Sequence, residues 1–376
     1  MPFEYFIDWL KITQTYPDGG LPLVGDEMVL AYDLETGERL RESPNMKQLE
    51  GSYSSKASIR CDGHTVTVDG NPSRWGRPDN LFGLRTLDDA VAVYNAILAE
   101  YGLPPFTKTT VTGWIQGEDG KKVTRYGNGA RIQRIDWTRN LMVGKGNESA
   151  FLRQVSGQTL GKGKTPQLYA NGHTVDWGRG STLWYLKLYR KAADLRESIK
   201  KAKKHPEWAR EVNYLERLIK FCDENGVIRE EKVFRRAFLD RHNLQFYGQT
   251  TETDFLPFLQ DIENLIARLE MSTFDYETIA DQLLENGIVK SRPAANATQG
   301  YALAWLHGQD LAESMGRSQY YEHRARLKAI GLDVSIPHDI ARVPQIKRQR
   351  EITVSTALPP SWYRMPKVPS RLRLVA

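Results

Sequence analysis

The stretch TVDWGRGSTLWYLKLYRKAADL, residues 174–195, decides the fold. Polar and apolar residues alternate along it with the period of two that a half-buried strand requires, which predicts a strand over 174–189. The strand ends on Tyr189, Lys191 follows two places on, and a helix-like run begins at once. A tyrosine phenol held on a rigid strand beside an ammonium group can act as a nucleophile toward phosphorus. Strands are also enriched in tyrosine, so a packing role competes for the same residue. Tyr185, four residues earlier, faces the same side and is the reserve nucleophile.

Working outward, the first half reads as strands joined by glycine-rich turns, at 5–14, 28–32, 58–61, 65–68, 131–141 and 227–234. One helix interrupts them. Thr86 serves as N-cap, Asp88 and Asp89 suit the positive helix start, and Gly102 with Pro104 and Pro105 ends it. Its apolar residues Leu87, Val91, Tyr94, Ile97, Leu98 and Tyr101 share one face, fit to pack on a sheet. From about Asp194 the pattern turns helical, at 195–204, 208–222, 255–269, 276–286 and 299–315. The expected fold is α+β: an antiparallel sheet flanked by helices, then a mainly helical domain. The domains expected are 1–250, 251–345 and a basic, proline-containing extended tail at 346–376.

With 376 residues, 40% hydrophobic and 26% charged, the chain reads as a soluble globular protein of two domains. No apolar run is long enough to cross a bilayer, and the N-terminus lacks the pattern of a signal peptide, so a cytoplasmic location is expected. Cys61 and Cys222, far apart, exclude a disulfide scaffold and a cysteine zinc site. The net charge of +6 concentrates in 200–204, 229–241, 317–328 and 342–373, interleaved with Trp and Tyr, which favours an anionic polymer as partner.

The glycine-rich loop 157–165, GQTLGKGKT, has five residues between Gly157 and Gly163 where a P-loop needs four, and Pro166 blocks a following helix. A mobile basic loop touching a nucleic-acid backbone fits it better than a nucleotide site. The seven histidines form no metal-binding pair, so a metal here would rest on carboxylates and be a hard ion, Mg²⁺ or Mn²⁺. Asp136, in RIDWT, and Glu231, in VIREEKV, stand in strand contexts where a carboxylate needs a metal or a partner such as a neighbouring arginine. Near the end, one helix through Met315, a turn at Gly316, Ser318 as N-cap and a basic, aromatic helix 319–330 describe a helix-turn-helix. Its DNA-contacting candidates are Arg317, Ser318, Gln319, Tyr320, Arg324 and Lys328.

Together these segments resemble the replication initiators of filamentous bacteriophages, the gene II/X family. Four blocks carry the likeness in the family's order: DGNPSRWGRPDNLFG at 69–83, IQRID at 132–136, the segment from Thr174 to Lys191, and VIREE at 227–231. A late PPSWY at 359–363 extends it. The resemblance implies a metal-dependent nickase of the HUH-type endonuclease/relaxase group that starts rolling-circle replication and rejoins the displaced strand. By position Tyr189 would attack the scissile phosphate and stay joined to the 5′ end, and Lys191 would ease ionisation of the phenol. Asp136, Glu231 and Asp79 would hold Mg²⁺ or Mn²⁺. Asp79 and Gly180 stand where many relatives carry histidine. The implied partners are origin DNA, single-stranded and duplex, a host replicative helicase and a single-strand-binding protein. Two rivals remain: a non-catalytic DNA-binding regulator on the same fold, and a metal-dependent nuclease that uses water.

Overall fold

The computed structural model describes residues 4–369 apart from 37, 52–54, 117–122, 162–163, 205–207, 271–278, 307 and 339–351. Its N-terminal half builds β1 (Phe6–Thr15), β2 (Leu23–Val24), β3 (Met28–Tyr32), β4 (Arg39–Pro44), β5 (Lys47–Gly51), β6 (Ser55–Asp62) and β7 (Thr65–Gly70). Helix α1 (Leu87–Glu100) leads to β8 (Thr112–Gln116), β9 (Val123–Gly127), β10 (Arg131–Met142) and α2 (Glu148–Val155). Next come β11 (Pro166–Leu168), β12 (Thr174–Trp177), β13 (Trp184–Arg190), α3 (Lys191–Ala202), α4 (Ala209–Asn225), β14 (Val227–Arg235) and α5 (Arg236–Arg241). A 3₁₀ segment at Glu252–Phe258 precedes α6 (Asp261–Glu270), α7 (Ile279–Glu285), α8 (Arg292–Leu306), α9 (Leu311–Ser314), α10 (Arg317–Ala329) and β15 (Ser355–Thr356).

The main sheet runs in the order β11-β12-β13-β14-β10-β1-β7-β6-β2, with β5 added to β6 and β15 to β10. Its pairs are antiparallel, as expected of the α+β class. The strand expected over 174–189 is instead a hairpin. Gly178 and Gly180 both take positive φ, +74° and +81°, so the chain turns there and β12 pairs back on β13.

Period-two alternation gives the sheet two unlike faces. One carries Ile7, Leu10 and Ile12 of β1 with Val66 and Val68 of β7, and receives α1. Thr86 caps α1 by accepting from the Asp89 amide, as the sequence predicts. Tyr94 of α1 donates its hydroxyl to the Leu10 and Gly70 carbonyls, both at 2.8 Å, which fixes the helix over the β1–β7 pair. The same side of β10 and β14 buries Arg139 against Glu230 at 2.6 Å, while α2 and α6 pack over their far ends and over β13. The other face is polar. Leu81, Phe82, α3, α4 and the returning tail cover only one end of it, through a cluster that includes Val227 of β14.

Packing moves the expected domain limits. Phe255 and Leu259 join the N-terminal core, and Ile262 and Leu265 of α6 join the cluster under β13, so the first unit runs past 250 to about 270. In the described part of the tail, β15 pairs with β10, and Ala357 and Tyr363 are buried against α3 and α4. Its residues 346–351 and 370–376 lie outside the described set. The helical unit spans 279–334, around Leu283, Trp305, Leu327 and Ile330. Residues 276–278 of the helix expected at 276–286 are outside the described residues.

The expected helix 299–315 is two helices. α8 starts earlier, at Arg292, and ends at Leu306; Gly308, with φ +83°, turns the chain before Asp310 caps the single turn of α9. Gly316, not Ser318, is the N-cap of α10. The loop expected to be mobile at 157–165 is tied at its described ends. Leu160 and Lys164 exchange backbone hydrogen bonds, and Gln158 and Thr159 are buried against the helical unit. Lys162 and Gly163 lie outside the described residues.

Candidate active site

Strands β13, β14, β10 and β1 bring their polar sides together. In register, Tyr189 lies opposite Arg229, Lys187 opposite Glu231, and Tyr185 opposite Val233. On the other flank of β14, Glu231 faces Thr138 and Val233 faces Asp136. Side chains at 185, 187 and 189 therefore share a face with 229 and 231 and with 136 and 138.

The half-buried Tyr189 donates its hydroxyl to Glu231 Oε1 at 2.6 Å. Lys187 Nζ lies 3.6 Å from Glu231 Oε2 and 4.1 Å from the centre of the Tyr189 ring. Burial, then the Glu231 charge, push the phenol well above its ordinary pKa, while the Arg229 guanidinium works in the opposite direction. Arg229 is fully buried. Its Nη2 donates to the carbonyls of Asn80 and Leu81 at 2.6 and 2.7 Å, its Nε to Asn140, and its Nη1 lies 3.6 Å from Asp8. Asp8 sits where β1 slips register between Ile7 and Trp9, and that bulge turns its carboxylate toward Asn71 and Asn80, at 3.1 and 2.6 Å.

Asp136 is held bidentately by Arg134, at 2.8 and 2.6 Å. Burial raises its carboxyl to about 7, the Arg134 pair restrains that rise, and the charges of Glu231 and Asp8 add to it. The arginine partner weighed for both acids is thus found for Asp136. For the acid pair 230–231 it falls to Glu230 on the opposite face, leaving Glu231 to the tyrosine.

Two expected members are placed elsewhere. Lys191 opens α3 with its ammonium buried, donating to Asn80 at 2.9 Å and Asp194 at 2.7 Å, 5.9 Å from the Tyr189 ring centre. Burial, then Arg229, lower its pKa. It braces the helix start, whereas Lys187 is the cation against the phenol ring. Asp79 is buried under the tail, where its Oδ1 accepts from the Tyr363 hydroxyl at 2.7 Å and from the Leu81 amide at 2.8 Å. It does not join Asp136 and Glu231, and among the described residues no group of three His, Cys, Asp or Glu side chains is arranged to hold a metal.

A two-carboxylate set does suit a hard ion. Asp136 and Glu231 are oxygen donors crowded by like charge, and between them on β10 the hydroxyl of Thr138 is buried without a hydrogen-bond partner. Mg²⁺ commonly uses one or two carboxylates and completes its shell with water and substrate phosphate. Sequence reasoning missed Lys187, Arg229 and Asp8. The first two were within reach, since 187 alternates with 189 and 229 with 231; Asp8 depends on a bulge that no pattern announces.

In the helical unit Arg317, Ser318 and Gln319 are exposed at the start of α10, and Tyr320 is half-buried beside them. Arg324 and Lys328 turn inward: Arg324 Nη2 donates to Ser335 at 3.2 Å, and Lys328 Nζ lies 3.2 Å from Asp333 Oδ2. Lys328 also donates to Thr159 of the first unit, and Arg324 is held within its own end of the helical unit.

Two family profiles match the chain. Residues 7–253 match the family described as replication-associated protein G2P N-terminal, and residues 283–369 the one described as replication-associated protein G2P C-terminal. The replication-associated protein G2P of Escherichia phage If1 is 39% identical over 316 residues, covering 82% of this chain and 97% of the relative. That of Enterobacteria phage I2-2 is 23% identical over 369 residues, covering 89% of each. A solved rolling-circle replication initiator protein from Geobacillus stearothermophilus aligns with 63% of this chain and 76% of its own, at 15% identity and a TM-score of 0.26, too loose to bear on the site. With a profile spanning well over half its length and a relative this similar along nearly its whole length, the chain belongs to the replication-associated protein G2P family.

Proposed function

We propose that this protein nicks and rejoins one DNA strand at a replication origin, with Tyr189 as nucleophile. The observation that carries the reading is the 2.6 Å hydrogen bond from the Tyr189 hydroxyl to Glu231, on a polar sheet face with Asp136 beside it. A phenol whose pKa is raised is protonated at neutral pH, so attack needs a base in contact with it, and Glu231 Oε1 is in contact. As Tyr189 Oη bonds to phosphorus its proton passes to Glu231, and the P–O3′ bond breaks with its electron pair leaving on O3′, which takes a proton. The 5′-phosphotyrosine keeps the bond energy, so a returning 3′-hydroxyl reverses the step. Lys187 over the ring and the buried Arg229, whose charge favours the phenolate, would offset negative charge developing on the phenol. Asp136 and Glu231 are the residues that would hold Mg²⁺ or Mn²⁺, which supplies positive charge to the phosphate oxygens. Duplex contact falls to the exposed start of α10: Arg317, Ser318, Gln319 and Tyr320.

The test incubates the protein with origin single strands and Mg²⁺ or Mn²⁺ and looks for a covalent adduct on a denaturing gel. Wild type is expected to form it and Tyr189→Phe to lose it. Cleavage without an adduct would favour the water-using nuclease, and binding alone the regulator.

A further inference from the structure

On the polar face, beyond Asp136, β1, β7, β6 and β10 enclose a groove of about 400 Å³. Lys11, Arg60, Arg131 and Arg236 line it together with hydroxyls that include Thr13 and Thr67, and no acidic side chain does. Asp69 and Asp240 lie beside it, paired with Lys11 and Arg131 at 3.1 and 2.6 Å, which leaves cationic charge in excess. Arg131, which lines the groove, also donates to the Arg125 carbonyl of the hairpin β8–β9 at 3.5 Å. The Arg131 guanidinium lies 5.9 Å from the Phe246 ring centre, Arg125 covers the same ring at 5.3 Å, and Arg125 then lies 5.9 Å from the ring of Trp114, its cross-strand partner. Trp114 is 67% exposed at the end of this ladder. A large aromatic left in water and aligned with a row of cations is costly to keep unless a flat, anionic ligand uses it.

We propose that this groove and hairpin form a second single-strand DNA contact, in which Trp114 stacks on a base and Lys11, Arg60, Arg131 and Arg236 hold the phosphates leading to it. The proposal rests on the nicking function above and adds to it a site away from the chemistry. From Asn140, level with Tyr189, to Arg131 is nine residues along β10, roughly 30 Å at strand rise. The contact therefore engages DNA well away from the scissile phosphate, and keeps hold of the strand while the nick is open. Stacking is tolerant of sequence, and the hydroxyls and cations address phosphates, so the site reads single-strandedness rather than a base order.

The probe is oligothymidylate of about 16 nucleotides, followed by fluorescence anisotropy with the full chain. Trp114→Ala is expected to weaken binding about tenfold, and Trp114→Phe, which keeps an aromatic face, to restore most of it. Arg236→Gln, at an exposed position, should reduce the slope of log affinity against log salt by about 0.7, the share of one single-strand phosphate. Wild-type affinity in Trp114→Ala, equal weakness of Trp114→Phe and Trp114→Ala, an unchanged salt slope, or competition by duplex as strong as by single strand would each overturn the site. The nicking reading fails separately: Tyr189→Phe should still bind with the same dependence on Trp114, and an adduct formed by Tyr189→Phe would sink the nucleophile and leave the groove standing.

Discussion

Burial and the facing carboxylate hold the Tyr189 phenol neutral, so in the proposed reaction Glu231 must take the proton as the bond to phosphorus forms. Glu231→Gln keeps the shape and a hydrogen bond but cannot accept that proton. Adduct formation is expected to slow by about 10²–10⁴-fold, the usual worth of a positioned base. Single-turnover kinetics at saturating DNA checks this, and a rate within threefold of wild type would remove Glu231 from that role. Arg229 carries a different burden. Its charge is fully buried and spent on two carbonyls, Asn140 and Asp8, so Arg229→Met takes a donor from the Asn80 and Leu81 carbonyls and from Asn140, and the facing charge from Asp8. A stability loss of about 3 kcal/mol or more is expected by denaturant titration. That Tyr189, Asp136 and Glu231 would stand on neighbouring strands was legible in the sequence, from the strand patterns and the family order. The placement of Lys191 was not legible because the sequence gives adjacency and not direction: as the first residue of α3 it leaves the strand's alternation, and its ammonium goes to Asn80 and Asp194.

Among the elements, β14 is the strand on which the site is hung, and the turn that launches it is tight. Gly226 ends α4 in the left-handed region at φ +60°, and a Cβ there would stand 2.1 Å from the Gly144 carbonyl oxygen. Gly226→Ala is expected to cost about 3 kcal/mol, from strain plus displacement of the 144 turn, and to lower the melting temperature. Unchanged melting would mean that the turn relaxes freely. The sequence showed α4 through its amphipathic run, and β10 and β14 as long β-branched and aromatic stretches. It did not show the break between β12 and β13, where alternation continues on both sides of a turn made by two glycines. The break after α8 was hidden in the same way, since the helical pattern runs across Gly308 into α9.

Across the whole molecule, two long-range attachments tie the tail and the helical unit to the main sheet. The tail brings Tyr363 under the sheet's covered end, where its hydroxyl accepts from the Phe82 amide and donates to Asp79. Tyr363→Phe leaves both buried groups short of a partner, and about 1–3 kcal/mol of stability is expected to go, read from thermal melts. The second attachment is Asp333, which accepts from the Thr159 amide and hydroxyl at 2.8 and 2.5 Å and lies 3.2 Å from the Lys328 ammonium. Burial opposes its charge, but hydrogen bonds from Ser335 and Thr159 and the Lys328 charge outweigh it and bring the carboxyl down to about 2. Its folded pKa lies below the unfolded value near 4, so the contribution is complete above about pH 4 and fades as pH falls toward 2. The amount is about 2 kcal/mol, and Asp333→Asn should flatten that limb of the stability profile; an identical acid limb would contradict it. Neither attachment could be read from local pattern, because each joins residues more than 170 apart in the chain.

In the proposed reaction Tyr189 becomes covalently joined to DNA. The direct measurement is mass spectrometry of the adduct after nuclease and protease digestion, with the nucleotide remnant located on the peptide. The remnant is predicted on Tyr189, in wild type and in Tyr185→Phe alike. A remnant on Tyr185, on any other residue, or a cleaved strand with no modified peptide would contradict the account.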